Sequence, residues 1–261
     1  MIGFIGGGNM AEAIISGLKK GGKEGIIVSD LNPGRLDYLK ERYSIKAAGS
    51  NREVLSSART IVLAVKPQHM DSVLDEIKEA VSREHLFVSI AAGISISYIT
   101  ERLGTERVVR VMPNTPALVG EGMSVIAFSG AIRKKEKTGV LKIFRAIGKT
   151  MELAEELMDA VTALSGSGPA FFAHFIEAMV EAGVRMGLPY EESLSLTLQT
   201  ATGTIRLLES GKSTFELKRM VTSPGGTTAE GLFVMDHGAL KATVKDAIEA
   251  ATSKSKELSR R

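Results

Sequence analysis

The 261-residue sequence contains no cysteine and no tryptophan. Without thiols it forms no disulfide, no thiolate zinc or iron–sulfur site and no cysteine nucleophile. Aromatic residues make up only 5% of the chain, which leaves little surface for stacking nucleobases. No run approaches the ~18 apolar residues that a membrane helix needs. The chain begins Met1-Ile2-Gly3-Phe4-Ile5-Gly6, with no basic segment ahead of its apolar run, so no secretory leader is expected. A surplus of either charge is missing too, since 33 Lys and Arg face 30 Asp and Glu, a net +3. The basic residues are spread along the chain, apart from Arg133-Lys134-Lys135 and the tail 254–261, and read as solvated helix faces. These absences predict a cytoplasmic protein without nucleic-acid or membrane partners.

What is present is an ordinary globular composition, 44% hydrophobic and 24% charged. At about 150 residues per domain this length allows one large domain or two modest ones. The patterning favours two. Up to about residue 155, short apolar runs alternate with helical spacing. Strands are expected at 2–5, 25–29, 44–47, 60–65, 86–90, 108–112 and 122–127, with helices at 11–20, 35–43, 70–81 and 96–103. The run Thr60-Ile61-Val62-Leu63-Ala64-Val65 is apolar throughout, as in a strand buried on both faces. Such alternation predicts an α/β domain, a doubly wound and mostly parallel Rossmann sheet, over 1–155. Beyond it only helical spacing remains, at 159–164, 169–186, 190–209, 228–235 and 240–258, so 156–261 is expected to be all-α.

The strongest chemical motif is Gly6-Gly7-Gly8-Asn9-Met10-Ala11, a G-x-G-x-x-A turn between the first strand and the first helix. Gly6 permits the tight turn, Gly8 lets backbone approach a pyrophosphate, and Ala11 lets helix and strand pack closely. The helix N-terminus adds N–H donors and a positive dipole end. A dinucleotide is the expected ligand. Asp30 closes the second strand where an acid bonds the adenosine ribose in NAD-binding folds. Arg35 stands where it can instead meet the 2′-phosphate of NADP, and a turn-forming role for Asp30 ahead of Asn32-Pro33-Gly34 is also open. Loops after later strands, Ala64-Val65-Lys66-Pro67, Ala91-Ala92-Gly93 and Met112-Pro113-Asn114-Thr115-Pro116, are expected to ring the cofactor, with Lys66 either a phosphate contact or a solvated lysine.

Two loops rich in small residues precede helices in the second half. They are Ser165-Gly166-Ser167-Gly168-Pro169-Ala170 and Val221-Thr222-Ser223-Pro224-Gly225-Gly226-Thr227-Thr228. Neither is a hydrolase elbow, and no histidine stands beside them as a base. Each suits a carboxylate at a helix N-terminus, and plain N-capping accounts for them equally. No acid paired with any of the four histidines is expected, and the methionines read as core. No metal site is expected.

Taken together, these segments resemble the pyrroline-5-carboxylate reductases. Gly3-Phe4-Ile5-Gly6-Gly7-Gly8-Asn9-Met10, Ala64 to Pro67, Ser89-Ile90-Ala91-Ala92-Gly93, Arg110 to Pro116, Ser165 to Ala170 and Ser223 to Thr228 follow in that family's order and spacing. The resemblance implies a Rossmann domain followed by an all-α dimerisation domain. It implies reduction of 1-pyrroline-5-carboxylate to L-proline, the last step of proline biosynthesis, by hydride transfer from NADPH or NADH, with the preference left open. It implies cofactor contacts at Gly6, Gly7, Gly8, Asn9, Met10, Ala11, Asn51, Ala64, Val65, Lys66, Pro67, Ala91, Ala92 and Gly93, to which the spacing of Asp30 after the glycine turn adds that residue. It implies substrate contacts at Val221, Ser223, Gly225, Gly226, Thr227 and Thr228, with the Thr228 hydroxyl on the ring nitrogen as the catalytic group. A homodimer, or a higher oligomer of dimers, follows from the same resemblance. Two positions depart from the family pattern. Leu217-Lys218-Arg219 replaces the common Leu-Lys-Asp, and Asp30 is unlike the residue of many NADPH-preferring members. A β-hydroxyacid dehydrogenase is the competing enzyme reading, although it would want a catalytic lysine in the helical half. A cofactor-sensing Rossmann protein is the non-enzymatic one, and Ser223 to Thr228 speaks against it.

Overall fold

The computed structural model of the chain describes residues 1–22 and 25–259. They form two compact units, Met1–Ser167 with Ala250–Arg261, and Gly168–Glu249.

In the first unit the strands are β1 (Ile2–Ile5), β2 (Ile26–Ser29), β3 (Lys46–Ala47), β4 (Thr60–Leu63), β5 (Leu86–Ser89), β6 (Val108–Met112), β7 (Gly122–Phe128) and β8 (Gly148–Glu152). They make one sheet in the order β3-β2-β1-β4-β5-β6-β7-β8. All pairs are parallel except β6 with β7. Between them run α1 (Asn9–Lys20), α2 (Pro33–Tyr43), α3 (Asn51–Ser57), α4 (Met70–Ile77), α5 (Ile96–Leu103) and α6 (Lys134–Arg145), followed after β8 by α7 (Met158–Val161).

The fully apolar strands follow from helices on both sheet faces. Successive strand side chains point to opposite faces. Phe4, Val28, Val62 and Val88 therefore join Ile14, Ile15 and Leu18 of α1 and Phe144 of α6 in one core. Ile5, Ile27, Ile61, Leu63 and Phe87 join Val54 of α3, Leu74 of α4 and Ile99 of α5 in the other. Burying each such side chain contributes roughly 1.5–3 kcal/mol. The expected doubly wound, mostly parallel sheet is what forms.

The short helix expected at 159–164 is α7 followed by a π-turn at Thr162–Gly166, with Ser167 N–H donating to Thr162 C=O at 2.8 Å. The second unit is helical: α8 (Gly168–Arg185), α9 (Tyr190–Glu209), α10 (Thr214–Val221), α11 (Thr227–His237) and the first part of α12 (Leu240–Leu258). The last turns of α12 belong to the first unit, where Ser255 Oγ donates to Asp159 at 2.6 Å.

Candidate active site

Parallel pairing places the C-terminal ends of β1, β2, β4, β5 and β6 on one edge of the sheet, and the chain's direction of winding reverses on either side of β1. In open α/β sheets this switch point is where ligands bind. The ladder runs on past the strand ends. Gly6 N–H donates to Ser29 C=O and Ala64 N–H to Ile5 C=O, both at 2.8 Å, and Ile90 N–H donates to Leu63 C=O at 3.1 Å. The loops at Gly6, Asp30, Ala64 and Ala91 are thereby drawn into neighbouring positions.

The first two alternate glycines of the turn play different parts. Gly6 has φ +97°, and a Cβ there would lie 2.7 Å from the Ala64 carbonyl oxygen. Gly8 has an ordinary φ of −64° and is exposed, with no protein atom within 4 Å of where its Cβ would stand. The first is needed to make the turn. The second keeps clear the space in front of the N-terminus of α1, which Gly8 caps without a side chain. The first-turn N–H groups of α1 therefore look outward without a side-chain partner, as a pyrophosphate requires. Ala11 is fully buried against the sheet.

Asp30 reaches back over this turn. Its Oδ2 accepts from Gly7 N–H at 2.7 Å and its Oδ1 from Asn32 N–H at 2.8 Å. Arg35 donates from Nε to Gly7 C=O and from Nη2 to Glu12, each at 2.5 Å. Tyr38 and Tyr43 hydroxyls donate to the other oxygen of Glu12 at 2.9 Å. Burial pushes the Glu12 carboxyl up, but the hydrogen bonds from Arg35, Tyr38 and Tyr43 outweigh it and hold the group below the usual carboxylate range. Nothing local in the sequence marks Glu12, because its partner Arg35 is 23 residues away.

The remaining expected contacts divide by exposure. Lys66 and Pro67 are exposed, Ala64 and Val65 half-buried. Ala92 is exposed, whereas Ala91 and Gly93 are buried, Gly93 against the end of α12 at Leu258 and Ser259. Asn51 is the first residue of α3, and its side chain accepts from Ser29 at 2.7 Å and donates to Glu76 at 2.6 Å. One further residue ties loops together. Asn114 accepts from Met123 N–H at 2.8 Å and donates to the Ser165 carbonyl and hydroxyl at 3.3 Å. Asn114→Ala leaves that N–H without its acceptor and is expected to cost about 1–2 kcal/mol, read by urea unfolding.

In the second unit, α10 opens on a capping box in which Ser213 and Glu216 satisfy each other's backbone N–H groups. It leads into the loop 222–226. Gly225 takes φ +67°, and Gly226 N–H donates to Ser223 C=O at 3.0 Å. Gly226 then caps α11 without a side chain. The N–H groups of Thr227, Thr228 and Ala229 lie in the first turn of α11, where no intrahelical acceptor exists. Val221 and Ser223 are exposed and Thr228 is half-buried. Among the described residues its hydroxyl takes no protein partner. The first-turn N–H groups of α11 suit a carboxylate, with the Thr228 hydroxyl beside them.

A glycine-capped helix at the switch point of a doubly wound sheet, with an acid at the end of the second strand, defines a dinucleotide-binding protein of the Rossmann class. Residues 155–258 match the family described as "Pyrroline-5-carboxylate reductase dimerisation", and residues 1–93 match "NADP oxidoreductase coenzyme F420-dependent". The chain belongs to the pyrroline-5-carboxylate reductase family. It is 40% identical to the pyrroline-5-carboxylate reductase of Synechocystis, over 100% of this chain and 98% of that one. It is 39% identical to the Escherichia coli enzyme, over 99% and 98%. The solved structure of a pyrroline-5-carboxylate reductase from Coxiella burnetii superposes with a TM-score of 0.93 at 37% identity, over 100% of this chain and 98% of that one. The Plasmodium falciparum pyrroline carboxylate reductase, solved with NADP bound, gives 0.88 at 37% identity, over 99% and 97%. Among the described residues no helix is long and apolar enough to cross a membrane.

Proposed function

We propose that this chain reduces 1-pyrroline-5-carboxylate to L-proline with NADH or NADPH, the last step of proline biosynthesis. The observation that carries this reading is the start of α11: first-turn N–H donors for a carboxylate, with the unpartnered Thr228 hydroxyl next to them. Residues 1–155 serve as the dinucleotide-binding part and 156–261 as the helical part for dimerisation and substrate binding.

When bound, the dihydronicotinamide supplies the hydride that C5 of the pyrroline accepts. Gly6 to Ala11 and the loops 64–67 and 91–93 hold the dinucleotide. Backbone N–H groups of Gly225, Thr227 and Thr228 hold the substrate carboxylate, with Val221, Ser223 and Gly226 beside them. Thr228 Oγ1 bonds the ring nitrogen. A hydroxyl is too weak an acid to protonate an imine, so its part is to orient the nitrogen and stabilise the protonated form, the better hydride acceptor. Asn51 acts indirectly, by bracing the end of β2 through Ser29.

The test is oxidation of NADH and NADPH by the purified chain with 1-pyrroline-5-carboxylate, compared with a panel of 2-keto acids, and reduction of NAD+ and NADP+ with a panel of 3-hydroxy acids. Turnover with the imine alone supports the reading. Turnover confined to the hydroxy- or keto-acid panel replaces it with a dehydrogenase.

The protein works as a homodimer or a higher oligomer of dimers, in the cytoplasm, on a small molecule and without nucleic-acid or membrane partners. The helical unit supports the oligomer. It leaves Phe172 of α8 67% exposed, and Phe233 and Val234 of α11 69% and 67% exposed. Apolar side chains in such number on so small a unit mark an association surface. Sedimentation is expected to return at least a dimer, and Phe172→Glu to weaken it by roughly 30-fold or more. A monomeric wild-type chain at micromolar concentration contradicts this.

A further inference from the structure

We propose that this chain selects NADH over NADPH, with Asp30 as the discriminating residue and Glu12 as the residue that withdraws Arg35 from a 2′-phosphate. The inference rests on the reading that the dinucleotide binds at Gly6 to Ala11.

The geometry at the end of β2 carries it. The Asp30 carboxylate is pinned by two backbone N–H groups, those of Gly7 at 2.7 Å and Asn32 at 2.8 Å. It cannot swing away without breaking both. One of those donors belongs to the glycine turn itself, so the negative charge is fixed beside the dinucleotide loop, where the adenosine ribose lies in folds of this type. Each oxygen keeps a further lone pair, enough to accept from ribose hydroxyls. A 2′-phosphate would bring up to two negative charges to the same place.

A counter-charge would be needed to offset that repulsion. Between residues 30 and 36 the sequence has one cation, Arg35. Its Nε is committed to the Gly7 carbonyl and its Nη2 to Glu12, and its guanidinium stacks over Tyr38 at 5.1 Å. The Arg35 and Glu12 side chains are only 23% and 18% exposed. Arg35 is thus built into the wall under the turn with its charge already compensated. Arg42, further along α2, stacks on Tyr38 and Tyr43 and bonds the Tyr43 hydroxyl at 3.1 Å. Recruiting Arg35 to a phosphate would leave the Glu12 carboxylate half-buried with only its tyrosine partners.

Binding, rather than turnover, tests this. NADH and NADPH are titrated into the whole chain by nicotinamide fluorescence, and 5′-AMP and adenosine 2′,5′-bisphosphate by calorimetry. The wild-type chain is expected to bind NADH at least about tenfold more tightly than NADPH, and the monophosphate more tightly than the bisphosphate. Asp30→Ser is expected to bring the NADH to NADPH ratio within about threefold or to reverse it. Glu12→Gln, which frees Arg35, is expected to gain affinity for the bisphosphate without gaining it for 5′-AMP. Equal or tighter binding of NADPH by the wild-type chain overturns the proposal and leaves the reductase reading intact, as does a ratio unmoved by Asp30→Ser. No gain in Glu12→Gln overturns the part given to Glu12. Binding of neither dinucleotide overturns the cofactor reading and this proposal with it.

Discussion

Thr228→Ala is expected to lower kcat/KM for 1-pyrroline-5-carboxylate by about 10- to 100-fold and to leave NADH and NADPH affinity within about twofold of the wild type. The size follows from what is removed, a single hydrogen bond to a group that is charged when it accepts hydride, worth about 1.5–3 kcal/mol. The selectivity follows from placement. Thr228 is the second residue of α11 in the helical unit, whereas the glycine turn lies in the sheet unit. Neither Gly226 nor any side chain uses the Thr228 hydroxyl as a cap, so its loss is not expected to unfold the helix. Thr228→Ser keeps the hydroxyl and should recover most of the rate. Steady-state kinetics with a cofactor titration for each variant checks all three statements. An unchanged kcat/KM in Thr228→Ala removes this residue from the reaction.

The second large effect separates two glycines of one turn. Gly8→Ala is expected to weaken binding of both dinucleotides by at least about tenfold, at a stability cost below about 1 kcal/mol. The added methyl meets no protein atom, and φ −64° suits any residue, so the unbound chain has no reason to change. What the methyl meets is the space that the pyrophosphate needs. Gly6→Ala should do the reverse in order of cause. The left-handed φ of +97° costs roughly 1–3 kcal/mol for a side chain. A Cβ 2.7 Å from the Ala64 carbonyl also forces β1 and β4 apart where their loops meet. Thermal unfolding paired with fluorescence titration distinguishes the two variants. If Gly8→Ala bound dinucleotide as tightly as the wild type, the open space in front of α1 would have another use.

How legible these features are in the sequence depends on whether local spacing carries them. The apolar run at 60–65 and the glycine turn announce a buried strand and a helix start by composition alone, and the sheet forms as they imply. β8 is invisible in that way. Gly148-Lys149-Thr150-Met151-Glu152 is an edge strand with little apolar alternation, and only pairing with β7 makes it a strand. The helix α3, of seven residues, spans barely two turns, and α10 buries none of its residues, so neither shows a core-facing stripe. Their signal lies in the caps instead, with Ser50 three residues before Glu53 and Ser213 three before Glu216. α6 is hidden for another reason. The run Arg133-Lys134-Lys135 draws attention to charge, while Val140, Ile143 and Phe144 a turn later bury its inner face.

The candidate site divides the same way. Gly6, Gly8, Asp30 and the loop 223–228 stand out because turn chemistry is written in residue type. The commitment of Arg35 to Glu12 is a tertiary fact between residues far apart in the chain, and it turns an arginine that could serve NADP into part of the turn's support. Asn114 is similar. Its motif is visible, but its work, joining Met123 to Ser165, appears only once β6 and β7 are paired.

Holding the imine carbon against the dihydronicotinamide lowers the barrier by about 7–11 kcal/mol in favourable cases, so the account stands on where the hydride goes. The most direct measurement uses NADH and NADPH deuterated at C4, in each of the two epimers, with 1-pyrroline-5-carboxylate and the purified chain. Mass spectrometry and NMR of the product are predicted to find one deuterium at C5 of L-proline, delivered from one epimer and not from the other. Proline without deuterium from either epimer, or no proline while the cofactor is oxidised, contradicts the account.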